Sequence, residues 1–431
     1  MKFLILATIL FSLFLGCSRT NDEKLLNNRI SVLEYASDLL ISANLNINEI
    51  NPAPSKNINY WSQSGQNPQN NLPNLYTKSF FENKSKIISD KGSSTNTIQP
   101  IFFENNLCSI STKGILSCYS VNDKKLVWEL DIKVFNDDDY EIMRGGLAYF
   151  DNQIILADGY GQIKSINSLN GSIIWEKNIS IPVFSAPIIY RDYIYFTTLN
   201  NRIYALDLLS GEIKWDFQTI FDDKKSLFTA SPAAVQNLII APFSNGEIVA
   251  FINDTGDIVW TENASNISSL SNFDIKDIAA NPVISDDKVF TLSNNGRILA
   301  TNLIDGSKAW SLEISGSNSP IISNLQLYVL DNESRLICIN KNSGEIYWIT
   351  KLEKRRGGSK KGKLNYWKGP YLINDIINLI SIHGELIEIL PLNGDFLSTK
   401  NINISGITID PVITSNGMFI LDSDSNIYKI D

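Results

Sequence analysis

Three landmarks recur along this chain in a fixed frame: a proline, a glycine or small polar residue fourteen positions later, and a tryptophan fourteen positions after that. The tryptophans are Trp175, Trp215, Trp260, Trp310 and Trp348, each just after a turn such as SGEIKW or TGDIVW. Their central partners are Gly161, Asn201, Gly246, Gly296 and Ser334, and the opening residues are Leu147, Pro187, Pro232, Pro282 and Pro320. Extending the frame finds Pro100, Gly114 and Trp128 upstream. Downstream it finds Pro370, Gly384 and Ser398, where the tryptophan is lost, and finally Pro411 and Ser425. Eight copies of one unit are present, and internal repetition of this kind decides the fold before any other feature.

Each unit reads as a four-stranded antiparallel meander. The proline opens the first strand, where its missing N–H removes no ladder bond. The second strand is apolar, as in Tyr193 to Thr197, and a turn carrying Asn or Gly leads to the third. Pairs such as Asn170-Gly171 and Asn393-Gly394 make the second hairpin, because they accept the positive φ that tight hairpin turns need. Spacings between the central positions are 47, 40, 45, 50, 38, 50 and 41 residues, the spacing of propeller blades. A linear stack would expose two sheet faces, whereas a ring exposes none. The fold class is therefore all-β: an eight-bladed β-propeller of four-stranded antiparallel blades. The last copy reaches Asp431 after its third strand, so the ring needs a fourth strand from elsewhere. The segment Tyr76 to Ile87 is the free candidate, which would close the ring with an N-terminal strand.

Ahead of the repeats, Lys2, the apolar run Phe3 to Leu15 and then Gly16-Cys17 have the form of an export signal, too short to span a bilayer. A small residue followed by Cys resembles a bacterial lipoprotein signal, with Cys17 as the lipidated first residue and Phe14 departing from the usual Leu. By the same resemblance, Ser18 after the Cys favours the outer membrane. The domains expected are a signal peptide over 1–16, a lipidated tether over 17–57 and the propeller over 58–431.

Composition narrows function by exclusion. With 37 Lys+Arg against 46 Asp+Glu, net −9, the chain lacks the basic surface that nucleic acid demands. One histidine, His383, leaves little scope for His-based catalysis or metal binding, and no nucleophile–base pair, metal spacing or phosphate loop is found. The repeated tryptophans read as packing between neighbouring sheets rather than an aromatic cage. Cys118 and Cys338 take a slot that Ala205, Ala250 and Ala300 fill elsewhere, which suits small core residues. Cys108 faces Cys118 across a hairpin, as a disulfide or as two free thiols. The run Lys354 to Lys368 holds seven basic residues and reads as a solvated loop between blades, with an anionic lipid or acidic partner as the alternative.

The unit A/N-x-D/N-x-x-S/T-G-x-x-x-W resembles the repeat of pyrroloquinoline-quinone enzymes. With the lipobox, Arg29-Ile30-Ser31-Val32-Leu33, the run Trp61 to Pro68 and Trp367-Lys-Gly-Pro370, the whole chain resembles the BamB family in its α-proteobacterial form. That family implies a non-catalytic periplasmic scaffold of the β-barrel assembly (BAM) complex, binding the POTRA domains of BamA, without a cofactor and with a monomeric propeller. A quinone-dependent dehydrogenase is the rival reading, but such enzymes use an adjacent Cys-Cys pair, calcium ligands and long insertions. Here the cysteines are at 17, 108, 118 and 338, and each repeat is minimal. A scaffold for some other periplasmic partner is the third reading, since fold does not fix function.

Within a unit the length never varies, so variation is confined to the connections from one outer strand to the next blade. These run 12, 17, 22, 10 and 22 residues after Trp175, Trp215, Trp260, Trp310 and Trp348. They are expected on one face, and loops on a rigid scaffold are where binding concentrates. The adjacent connections after Trp215 and Trp260 contain Lys225, Leu227 and Phe228, and Asp274, Lys276 and Asp277. Apolar anchors ringed by charge suit a protein interface. The resemblance implies that these loops contact BamA.

Overall fold

A computed structural model of the chain describes residues 39–43, 45, 50–78, 81–88, 98–133, 144–220, 230–265, 277–294, 296–358 and 362–431. Leu40–Asp431 form one compact unit of eight antiparallel β-sheets. Blades 1 to 7 occupy 101–131, 145–178, 188–218, 233–263, 283–312, 321–351 and 367–401, each with its four strands in chain order. Blade 8 takes three strands from Val412–Thr414, Gly417–Leu421 and Ile427–Ile430. Its fourth is Lys84–Ile88, antiparallel to Ile427–Ile430 through Lys84↔Ile430, Ser85↔Lys429 and Lys86↔Tyr428. The expected closure by an N-terminal strand is found, at the far end of the segment anticipated for it.

The tryptophans work as locks between blades. In blade 3 the outer strand pairs Trp215 with Ala205, and the residue just before it, Lys214, bulges out of the pairing. Such a bulge re-aims a side chain. The indole then packs on the next blade, where its Nε1 donates to the Asn253 carbonyl at 2.8 Å. The same donation runs from Trp128 to Ser168, Trp175 to Leu208, Trp260 to Leu303, Trp310 to Lys341 and Trp348 to Pro391. Three residues beyond each acceptor is a glycine at positive φ whose missing Cβ makes room for the ring: Gly171, Gly211, Gly256, Gly306, Gly344 and Gly394. Turn geometry and indole packing therefore demand the same residue. Each buried indole contributes about 4–6 kcal/mol of gross hydrophobic stabilisation.

Cys108 and Cys118 stand directly opposite each other in register and form a disulfide, with Cα atoms 4.1 Å apart. Cys118 lies under Trp128 as Ala205 lies under Trp215. Cys338 is a buried free thiol.

Residues 50–78 do what the repeat pattern does not encode. The inner strand of every blade presents backbone donors toward the axis, and buried donors need partners. Tyr149 N–H donates to the Ser62 carbonyl, Ala234 to Pro68, Ile284 to Gln69, Asn374 to Leu75 and Ser415 to Ile58. Trp61 and Phe102 exchange both backbone bonds, and Ile189 N–H reaches the Gln63 side chain. At blade 6, Ala53 N–H donates to Ser323 Oγ at 2.7 Å. One polar segment thus touches all eight blades from inside the ring. Asn70 Nδ2 bridges the carbonyls of Pro232 and Pro282, at 3.0 and 3.1 Å, tying blade 4 to blade 5.

This segment also moves two expected boundaries. Tyr76, anticipated as the start of the closing segment, instead belongs with Leu75 to a short strand that adds in parallel to the inner edge of blade 7, and Lys56–Asn57 adds beyond it. Residues expected to be tether are thus part of the compact unit: Ile41 bridges to Ile346 on blade 6, and Ser42 N–H donates to the Ile346 carbonyl.

Candidate functional site

The connections between blades share a face with the central turns. The first residues of these connections bond the turn of their own blade: Ile132 N–H to Gly114, Thr219 to Asn201, Ala264 to Gly246, Leu352 to Ser334 and Ile402 to Gly384. Outer strands therefore all end on one side, as the length pattern suggests.

The two long connections are rooted side by side. Asn201 donates from Nδ2 to the Ile220 carbonyl while its Oδ1 accepts from Ser244 of the next blade. At their far ends, Ser231 N–H donates to Asn281 Oδ1 at 2.8 Å. Lys225, Leu227 and Phe228 lie within 221–229, and Asp274 and Lys276 within 266–276, outside the described residues, as does Cys17. Asp277 is described and corrects the expectation of a surface charge. It is fully buried, and its carbonyl accepts the Asn294 N–H. At this position the side chain is enclosed by the protein, so Asp277 is not exposed to a partner.

The basic run is more ordered than a solvated loop would be. Arg355 and Leu364 form a β-bridge, Arg356 N–H donates to Lys363, and Asn365 N–H donates to Lys354, making a short hairpin. Its base is pinned to the central turn of blade 7: Asn365 Nδ2 donates to Glu385 at 2.9 Å, and His383 Nε2 lies 3.0 Å from the Leu364 carbonyl. Lys354, Arg355, Arg356 and Lys363 are exposed around Leu364 and Tyr366, the latter 60% accessible. This basic, partly apolar knob stands on the same face as the long connections. Charge density signalled it in the sequence, but the alternation of Leu364 and Tyr366 carries no interface signature without the fold.

Perturbed carboxylates do not assemble into a catalytic site. Burial raises the Asp158 carboxyl above its usual range, yet its Oδ1 caps its own turn through the N–H groups of Tyr160 and Gln162. Asp331, also raised by burial, caps its turn and pairs with Arg335 at 2.6 Å. At the axial mouth, Tyr371 donates to Asp410 at 2.5 Å, and burial raises the phenol further. The cavity there, beside Trp61, Asn70 and Tyr371, is about 60 Å³. A multi-ring cofactor needs a pocket of roughly 300 Å³ or more. Among the described residues, no three His, Cys, Asp or Glu side chains are grouped so as to hold a metal ion.

The profile of the family described as "Outer membrane protein assembly factor BamB" matches residues 112–350, more than half of the chain. The chain belongs to the BamB family. BamB of Yersinia pestis is 20% identical over 346 residues, covering 77% of this chain and 83% of that protein. BamB of Moranella endobia is 24% identical over 227 residues, 51% of this chain and 58% of that protein. The crystal structure of BamB from Moraxella catarrhalis superposes with a TM-score of 0.68 at 17% identity, covering 80% of this chain and 98% of that one. The quinohemoprotein alcohol dehydrogenase of Comamonas testosteroni superposes with a TM-score of 0.65 at 10% identity, covering 87% and 78%. At such identity these superpositions establish the propeller and nothing of the chemistry. The BamB assignment rests on the family match, and the matched BamB proteins are named as assembly factors for outer membrane proteins.

Proposed function

We propose that this chain is a scaffold lipoprotein of the β-barrel assembly machinery. In this reading Cys17 anchors it to the periplasmic face of the outer membrane. The face of the ring with the long connections docks on the POTRA domains of BamA and so assists outer-membrane protein assembly. One observation carries the reading: in a member of the BamB family, every variable connection leaves the ring on one face, and the basic hairpin stands there too. The contact is assigned to Lys225, Leu227, Phe228, Asp274 and Lys276. Asp277 is withdrawn from it, because a buried carboxylate cannot meet a partner.

Binding of the purified protein to immobilised BamA POTRA domains tests the proposal. Leu227→Ala with Phe228→Ala, and Asp274→Ala with Lys276→Ala, should each weaken binding about tenfold or more while leaving the thermal melt unchanged. Unaltered binding in both, with loss on neutralising Lys354, Arg355 and Arg356, would move the contact to the basic hairpin. Cys17→Ala should release the protein from outer-membrane fractions, and its continued sedimentation with them would refute the anchor.

A further inference from the structure

We propose that the seam between blade 8 and blade 1 is a binding slot for a tryptophan side chain presented on an extended segment of another protein. The slot is one of two junctions that lack the ring's own tryptophan lock, the other being blade 7 to blade 8 at Ser398, and it goes beyond the family function proposed above without resting on it.

Pairing defines the equivalence. Ser85 pairs with Lys429 in blade 8 as Trp215 pairs with Ala205 in blade 3, so Ser85 stands where the lock tryptophan belongs. The carbonyl seven residues before the tryptophan is the indole acceptor in blades 2 to 6, and the matching carbonyl in blade 1 is that of Val121. The chain's eight tryptophans are all described, and none donates to Val121. The glycine position of the same turn is also changed, to Lys124, which keeps the positive φ of 53°. Tryptophan and glycine are both replaced here while the turn that offers the acceptor carbonyl is kept. At the blade 7 to blade 8 junction the tryptophan is also absent, at Ser398, but blade 8 has no turn joining its third and fourth strands.

The space remains. A cavity of about 480 Å³ lies at the seam, lined by Val121, Asn122, Phe419 and Lys429 among others. Phe419 is the counterpart of Tyr195 and Tyr328, which lie 5.9 and 6.0 Å from the indoles of Trp215 and Trp348. An indole entering the seam therefore meets an aromatic ring about one ring-contact away, as Trp215, Trp310 and Trp348 do, and a turn carbonyl for its N–H, with Lys124 in place of the lock glycine. Phe102 and Phe419, stacked at 5.3 Å, form the floor. The amides of Asn83, Asn105, Asn122 and Asn416 line the wall, each able to donate to and accept from an extended backbone.

The test uses the full-length protein in detergent and two capped hexapeptides of alternating Thr and Val, one with a central Trp and one with Leu in its place. Calorimetry should show saturable binding of the Trp peptide, about tenfold or more tighter than the Leu peptide. Ser85→Trp with Lys429→Ala and Lys124→Gly fills the slot from within, and should abolish peptide binding while raising Tm by about 2 °C or more. A Trp peptide carrying a photo-reactive diazirine gives a readout on the unaltered chain, where crosslinks should map to fragments holding Val121, Asn122 or Phe419. Equal binding of the two peptides, binding that survives in the filled variant, or crosslinks elsewhere would overturn the proposal.

Discussion

Gly256 lies so close to the indole of Trp215 in the preceding blade that a Cβ on it would sit 2.6 Å from Trp215 Cδ2. Its φ of +75° independently disfavours any side chain. Gly256→Ala should therefore destabilise the ring by about 2–4 kcal/mol, combining left-handed strain with overpacking. At the seam the equivalent residue, Lys124, faces no indole, so Lys124→Gly should leave stability unchanged or raise it slightly. Chemical denaturation of the two variants checks the contrast, and equal effects would mean that turn geometry alone selects glycine.

Ring closure by Lys84–Ile88 predicts a global effect from a local deletion. Removing 84–88 leaves the third strand of blade 8 as a bare edge and strips its cover. The melting temperature of the whole protein should fall in a single transition, while trimming residues 18–38 should leave it unchanged. A deletion that melts like the parent would place closure elsewhere.

The axial segment should behave as core despite its polarity. Asn70→Ala removes two hydrogen bonds and leaves the Pro232 and Pro282 carbonyls without that donor, which costs about 2–3 kcal/mol. Asn70→Asp should be at least as harmful, because a carboxylate cannot donate to either carbonyl. Hydrogen exchange at Ala234 and Ile284, whose N–H groups donate to Pro68 and Gln69, should accelerate in both variants.

The Cys108–Cys118 disulfide separates the thiols by reactivity. In a Cys17→Ala protein, alkylation under denaturing but non-reducing conditions should label Cys338 alone, and reduction should expose two more thiols. Burial also raises the Cys338 thiol well above its usual range, so in the native fold it should react slowly at neutral pH. Labelling of three thiols without reductant would refute the disulfide.

Much of the fold is readable because a blade is a local object. Proline, glycine and tryptophan at fixed spacing describe strands that pair with their chain neighbours, and the register Tyr195↔Ala205↔Trp215 needs only about thirty consecutive residues. The absence of a tryptophan at Ser398 reads as decay of the repeat until pairing shows Glu388 opposite it, a long charged residue where other blades keep a small one. Ser85 and Lys429 make the same exchange in blade 8. Paired substitutions of this kind can be interpreted only once the partners are known.

Local periodicity in the chain determined the all-β class, the number of blades, the need for a borrowed strand and the face from which the long connections emerge. Folding in three dimensions decided which residues lend that strand, that the polar run Trp61 to Thr77 contacts the inside of the ring, that Asp277 is buried, and that the basic run is a pinned hairpin. The physical reason is sequence distance. Strand patterning acts between residues a few positions apart and is written in their order. The axial segment instead meets a donor or acceptor from each of eight blades, a backbone group in seven and Ser323 Oγ in blade 6, brought together only when the ring closes, and nothing in its own composition distinguishes it from a loop.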